Sequence, residues 1–406
     1  MDSIKASYGQ VVLVDNGFFF PEDDLHKDVS WFLMDVMKVL GTEAVGMSEK
    51  ELRFGVGYLK AQVRRTQLPM VCANLYEKKT KKLLFQPYVV KQVGTVKVGI
   101  FGLMSNTVDL GPLKDSLTVE EPSVAARRTV AELRRKGATV VVLLSQLGKV
   151  ESEDLVTALE GIDAVMVGHN VPLLQKGRMI KNTVACYGGE QGQYIGRTIV
   201  TLNPQRRMAT ADNETFMLSP EVGERKEIAA LVKGFEDSFN EKLHKAEKER
   251  AAKEQAKATS ASPDHYLGAE VCIRCHQPEG EQWKSTGHAR AWQTLVDHKK
   301  DATPECVGCH VVGFKQPGGL VSSAVTPALT NVQCESCHGM GTQHEAFTTV
   351  PRKITVETCR QCHTASASPT FDFATYQPHV AHKYAGTPPP LPEGHGAAML
   401  KAAGSK

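Results

Sequence analysis

Short apolar runs alternate with polar stretches of helical spacing through the first half of the chain. Val11–Val14, Val96–Phe101, Val140–Leu144, Ala164–Val167 and Ile199–Leu202 are rich in β-branched residues and predict strands. Ser123–Lys136 between two of them has helical spacing, and Gly137 follows as a C-terminal cap. This alternation predicts an α/β domain over residues 1–218 with its own core. From Pro220 the period changes. Ile228, Leu231, Val232, Phe235, Phe239 and Leu243 recur at steps of three and four, which describes one face of a helix. Beyond Leu243 only alanines and charged residues follow. Residues 219–263 therefore read as a charged helical linker, solvated after Leu243 and ending in the turn T-S-A-S-P. Residues 264–384 have few β-type runs and many Gly, Pro and polar residues, which predicts short helices and irregular chain. Residues 385–406 open with three successive prolines and read as a disordered tail.

A chain of 406 residues has room for two or three domains. Its net charge of +3 leaves no electrostatic footprint of nucleic-acid binding. No apolar run reaches the roughly 18 residues that a membrane-spanning helix needs.

The candidate chemistry is concentrated in the last third. Four C-x-x-C-H motifs occur there: Cys272, Cys275 and His276; Cys306, Cys309 and His310; Cys334, Cys337 and His338; Cys359, Cys362 and His363. This is the attachment signature of c-type haem. Two thiols add to the vinyl groups of one haem, and the adjacent histidine lies under the iron. A zinc site needs four ligands in all and has no use for a histidine after every second cysteine. A redox disulfide motif stands once, at a helix start. The expectation is four covalently bound c-type haems in one small domain that takes much of its core from porphyrin. Attachment of this kind belongs to oxidising compartments outside the cytoplasm. A periplasmic or extracellular protein is expected, although M-D-S-I-K-A-S-Y-G has no leader pattern, so an export signal would have been removed or would lie upstream. The remaining cysteines, Cys72 and Cys186, stand at separate strand ends, either paired or as two buried thiols.

Much of residues 9–202 resembles the metallophosphatase domain of the 5′-nucleotidase family. The resemblance rests on V-V-L-V-D-N-G-F-F-F, E-A-V-G-M-S-E-K-E-L-R-F-G, P-M-V-C-A-N-L, G-I-D-A-V-M-V-G-H-N and Q-Y-I-G-R. It implies two β-sheets sandwiched between helices. That family holds two divalent metals that activate water against a phosphate. Carried across the motifs, the bridging Asp falls on Phe18, the ligand Asn on Glu49 and the catalytic His on Lys50. Another ligand His falls on Gln146, and the G-H-x-H pair on His169 and Val171. The family's first motif, D-x-H, would fall before Met1. The resemblance thus implies a domain whose metal site has degenerated, with His169 a hydrogen-bonded residue rather than a ligand.

Residues 266–382 resemble the tetrahaem cytochrome c-554 family, through Y-L-G-A-E-V-C-I-R-C-H, W-K-S-T-G-H-A-R-A, C-V-G-C-H-V-V-G-F, V-Q-C-E-S-C-H-G-M-G-T-Q-H and C-R-Q-C-H followed by F-D-F. The resemblance implies distal iron ligands at His288, His344 and His382, with His265, His298, His379 and Met340 as spares. His288 is twelve residues past His276, which makes it available to a neighbouring haem. Three distal ligands for four irons imply one five-coordinate haem, assigned by resemblance to Cys306 and Cys309.

The expected function is an electron-transfer cytochrome with redox partner proteins. The inactive N-terminal domain would dock or assemble it, and self-assembly is one form this takes. Two alternatives remain open at this point. One is a haem enzyme that reduces a small nitrogen or sulfur oxide at an open iron, and the other is a residual phosphoesterase.

Overall fold

The computed structural model describes residues 2–189, 192–257, 264–346, 354–365 and 367–382. The chain divides into two compact units, Met1–Val232 and Lys233–Lys406. The expected disordered tail and the T-S-A-S-P turn lie outside the described residues.

The first unit opens with α1 (Asp2–Tyr8), β1 (Val14–Asp15), α2 (Lys27–Leu40), β2 (Ala44–Val45) and α3 (Val56–Thr66). Then come β3 (Leu75–Glu77), β4 (Tyr88–Val93), β5 (Val96–Met104), β6 (Leu117–Val119), α4 (Pro122–Arg135), β7 (Val140–Gln146), α5 (Lys149–Ala158) and β8 (Ala164–Val167). The unit finishes with β9 (Arg178–Ile180), β10 (Thr183–Tyr187) and the hairpin β11 (Tyr194–Leu202) and β12 (Met208–Met217). The main sheet has the order β4-β5-β7-β8-β10-β9. Its four central strands are parallel, and β4 and β9 run antiparallel at the edges.

The central strands are buried on both faces, which is why β7 reads as the near-continuous apolar run V-V-V-L-L-S-Q. On one face Ala125, Ala126, Val130 and Leu133 of α4 pack against Phe101, Leu103 and Val141. On the other face Ala44, Val71, Ile100 and Leu144 form an inner layer with Val12 and Val14. Val14 and Ala44 of this layer belong to the small parallel pair β1-β2. Met34, Val45, Leu52 and Leu59, contributed in part by α2 and α3, close the outside. The result is the sandwich of two sheets between helices that the sequence implied. The layers approach closely: a Cβ on Gly102 would stand 2.2 Å from the Val71 carbonyl oxygen.

The strand expected over Val11–Val14 pairs only at Val14 and Asp15, because its partner β2 is two residues long. Val12 still packs in the inner layer, so the apolar run marks burial correctly and ladder length poorly. Gly137 takes φ +83° after α4, which is the left-handed geometry of a helix stop.

The helix α6 (Lys226–Lys257), which begins in the first unit and continues into the second, departs from the expected solvated linker. Leu243 and also Ala251, beyond the expected apolar stripe, are buried. Arg250 donates to the Val321 carbonyl, pairs with Glu247 and Glu254 at 2.8 Å each, and lies over the Phe314 ring. Alanine lets the helix approach closely, and the paired arginine keeps its charge satisfied there. The rest of the second unit is a set of short helices. Its apolar cluster is Leu295, Cys306, Val307, Val311, Val312, Leu320 and Leu329, with Trp292 and Phe314 against it.

Candidate functional site

Each C-x-x-C-H motif is built on a turn of helix. The His276 and His363 amides donate to the carbonyls of Cys272 and Cys359, four residues back. Positions i, i+3 and i+4 share one helix face, so both thiols and the imidazole of a motif are presented together. Two of these short helices are fixed at their starts by capping boxes, Gln333 with Ser336 and Thr355 with Thr358. The motifs crowd together. The Cys272 thiol neighbours that of Cys334, and the Cys362 thiol neighbours that of Cys309.

The expected distal histidines meet three of the four motif histidines. His276 and His344 have ring centroids 6.2 Å apart, His288 and His363 6.3 Å, and His338 and His382 6.2 Å. Two metal–nitrogen bonds of roughly 2 Å each, plus about an ångström from each nitrogen to its ring centre, give roughly 6 Å. The spacing therefore fits one iron between each pair. Each pair joins residues distant in sequence, and His288 meets the fourth motif rather than its own.

His310 differs. Among the described residues no aromatic ring pairs with it. Its Nδ1–H donates to the Ala291 carbonyl at 2.7 Å, which leaves Nε2 with a free lone pair. Burial pushes its pKa down, favouring the neutral imidazole that a metal needs. His363 Nδ1 lies 3.1 Å from Ser368 Oγ, and His382 Nδ1 lies 3.0 Å from Gln282 Oε1. Gln282 also donates from Nε2 to the His379 carbonyl, so its two ends clamp residues 379 and 382. Of the spares, His298 bonds the Thr294 carbonyl in its own helix, and His265 is exposed.

Sequence reasoning passed over Glu335, the first variable residue of C-E-S-C-H. Its carboxylate is 4 % exposed and accepts from three backbone amides: Leu267 at 2.9 Å, Gly268 at 2.8 Å and Gly341 at 2.7 Å. It ties the approach to the first motif to the third. Nothing in a spacer position of a known motif signals this.

The positions that the resemblance assigns to the metal site gather at the carboxyl ends of β1, β2, β7 and β8. Phe18 holds φ +72° and His169 φ +73°, left-handed geometry that costs a bulky residue about 1–3 kcal/mol. The Lys50 ammonium lies 4.1 Å over the Phe18 ring and 3.2 Å from Glu22. The His169 ring meets the other edge of that stack at 5.4 Å. Val171 is part of the core. Phe18 and Val171 carry no donor atom and Lys50 is itself a cation, so this residue set does not fit a pair of metals. A cleft beside it, lined by Asn170, Val171, Pro172, Leu173, Gly189, Gln193 and Tyr194, offers no cationic side chain to a phosphate. Cys72 and Cys186 are separate buried thiols, both pushed up to about 11 by burial.

Comparison with known proteins agrees with this division. The family "Cytochrome c554 and c-prime" matches residues 271–339. Cytochrome c-554 of Nitrosomonas europaea is 42% identical over 91 residues, covering 19% of this chain and 39% of that protein. The 2′,3′-cyclic-nucleotide 2′-phosphodiesterase/3′-nucleotidase of Salmonella typhimurium is 31% identical over 158 residues, covering 33% of this chain and 24% of that protein. The 5′-nucleotidase precursor of Thermus thermophilus superposes with a TM-score of 0.52 at 22% identity, over 60% of this chain and 52% of that one. The chain thus spans about a quarter to two fifths of these two curated relatives. Among the described residues no helix is long and apolar enough to cross a membrane. The family match supports a c-type cytochrome in electron transfer. The chain is a fusion of an N-terminal region homologous to the 5′-nucleotidases and metallophosphoesterases with a C-terminal cytochrome c554 family domain.

Proposed function

We propose that the protein is an exported, periplasmic or extracellular electron-transfer cytochrome with four covalently bound haems and a catalytically inactive metallophosphatase-like domain. The observation that carries this reading is the set of three imidazole pairs with centroids 6.2–6.3 Å apart. The eight thiols of Cys272, Cys275, Cys306, Cys309, Cys334, Cys337, Cys359 and Cys362 would form the thioether links. His276, His310, His338 and His363 would be the proximal ligands, and His344, His382 and His288 the distal ones. Haem bound there supplies a one-electron iron couple. The chain's part would be to hold each pair of imidazoles at a fixed spacing around the bound group. Pairs on both faces leave no room for a substrate, which favours electron transfer over chemistry at those positions.

The N-terminal domain reads as inactive because Phe18, Lys50, Gln146 and Val171 replace the family's ligands and catalytic group. Its remaining use is a surface for redox partners or for assembly with further copies. The experiment is denaturing mass spectrometry with EPR on protein matured by a c-type haem system. Four haems and at least three low-spin signals are expected. Fewer haems on fully matured chain would remove the assignment of the missing motif.

A second reading is favoured by His310, which no described ring faces. An iron held by His310 alone would keep a position open to a small neutral ligand. A reductase for a small nitrogen or sulfur oxide would use it. One carbon monoxide bound per chain supports the open position, and none removes it.

A further inference from the structure

The turn between β3 and β4 carries the densest run of like charge in the first unit, K-K-T-K-K over residues 78–82. Lys78, Lys79, Lys81 and Lys82 are all exposed. A second loop joins them. Lys78 Nζ donates to the Lys114 carbonyl at 2.6 Å, and the Lys78 amide donates to the Ser116 carbonyl at 2.8 Å. Lys114 is exposed as well, so five ammonium groups stand on two neighbouring loops.

Little on these loops balances that charge. Among the described residues none of the five lysines pairs with a carboxylate. Glu77 precedes the run, but its Oε1 accepts from Lys60 at 2.6 Å and its Oε2 from Thr80 Oγ1 at 3.0 Å. Asp115 is the one acid in the sequence of the second loop.

The turn is also held in one shape. The Lys81 amide donates to the Glu77 carbonyl at 2.8 Å, and the Glu77 amide to the Lys82 carbonyl at 2.9 Å. The Lys82 amide donates to Thr80 Oγ1 at 3.2 Å. Beneath the loops, Leu75, Leu84 and Leu117 are part of a buried cluster. Lys81 holds φ +56°, left-handed geometry that glycine adopts freely and a lysine only at a steric cost. Close like charges repel, and protein surfaces ordinarily intersperse the two signs. A fixed patch of one sign steers and orients a surface of the other.

The side chains also narrow the kind of anion. No large apolar residue is exposed on either loop, whereas segments that lie on a bilayer add apolar side chains to their cations. Neither loop carries an arginine, the residue whose fork grips a phosphate at two points. Single ammonium groups spread over two loops suit separate carboxylates.

We propose that residues 78–82 with Lys114 form the face by which the N-terminal domain docks a carboxylate-rich protein surface. This rests on the reading of that domain as a docking module, and it names the face and the partner's chemistry.

The test uses the full haem-loaded chain with labelled poly-L-glutamate as the carboxylate probe and phosphatidylglycerol vesicles in parallel. Binding should fade between about 0.01 M and about 0.15 M salt, where the screening length falls from roughly 30 Å to roughly 8 Å. Glutamine at Lys78, Lys79, Lys81 and Lys82 together should weaken poly-glutamate binding about tenfold or more at low salt. A control with glutamine at Lys226, Lys245, Lys248 and Lys253, which are exposed on α6, removes the same charge and should lose less than about threefold. Lys79→Gln and Lys82→Gln alone should each lose about twofold, and they serve if the fourfold variant fails to fold. No binding by the intact chain, or equal loss in the patch and control variants, overturns the face. Vesicle binding that falls as much as or more than poly-glutamate binding in the patch variant assigns a lipid surface instead and overturns the proposal. Haem count and a phosphatase assay on the same samples test the underlying reading separately, so failure of one is distinguishable from failure of the other.

Discussion

Replacing Glu335 by alanine should cost the second unit more than any other single change outside the haem ligands. Its carboxylate serves three backbone amides, of which Gly268 is buried and Leu267 and Gly341 are half-buried. A buried donor left unsatisfied costs about 1–3 kcal/mol, and the half-buried ones recover part of that from water. The sum is about 2–5 kcal/mol. For a unit of this size each kcal/mol moves the melting point by roughly 2–4 °C. A loss on the order of 10 °C follows, read as the collapse of the low-spin haem spectrum on heating. Glu335→Gln keeps one acceptor oxygen but turns an amide NH2 toward donors, so it should lose about half as much. The damage has a direction. Gly341 lies three residues before His344, and Gly268 four before Cys272, so the His276–His344 pair should loosen first. High-spin signal should grow at that haem while the others stay low-spin. A melting shift below about 2 °C for Glu335→Ala would refute the reasoning, since it would mean that water serves these amides as well as the carboxylate does.

Further outcomes follow from the same geometry. His288→Ala, His344→Ala and His382→Ala should each turn one low-spin haem high-spin and raise its potential, while His298→Ala changes nothing; EPR of each variant decides. Gln282→Ala should free the His382 ring and give partial high-spin character and carbon monoxide binding at the haem of Cys334 and Cys337. Gln282→Glu, which keeps the acceptor, should restore the low-spin state. Phe18→Asp should restore no phosphoester hydrolysis, because Lys50 and Val171 still occupy their positions; a phosphatase assay with added manganese checks it.

What the sequence determined by itself was local. C-x-x-C-H is legible because its chemistry needs only i, i+3 and i+4, a spacing that one helical turn supplies wherever it stands. The β-branched runs of the main sheet became β5, β7 and β8, because strands buried on both faces must be apolar throughout, and Ile199–Leu202 became the end of β11 in the half-buried hairpin. Resemblance named the positions of the metal site, and at Phe18, Lys50 and Val171 the structure places side chains that repel metals or carry no donor. What depended on distance along the chain was decided only in three dimensions. Which imidazole faces which motif joins residues as far apart as His288 and His363, and no period records that. Glu335 looks like a spacer until Gly268 and Gly341 arrive beside it. Ala251 and Arg250 look solvated until Val321 and Phe314 meet them. A sequence pattern reports the average environment of a residue, whereas the partner of a buried polar group is fixed by loop closure, and only the folded chain specifies that.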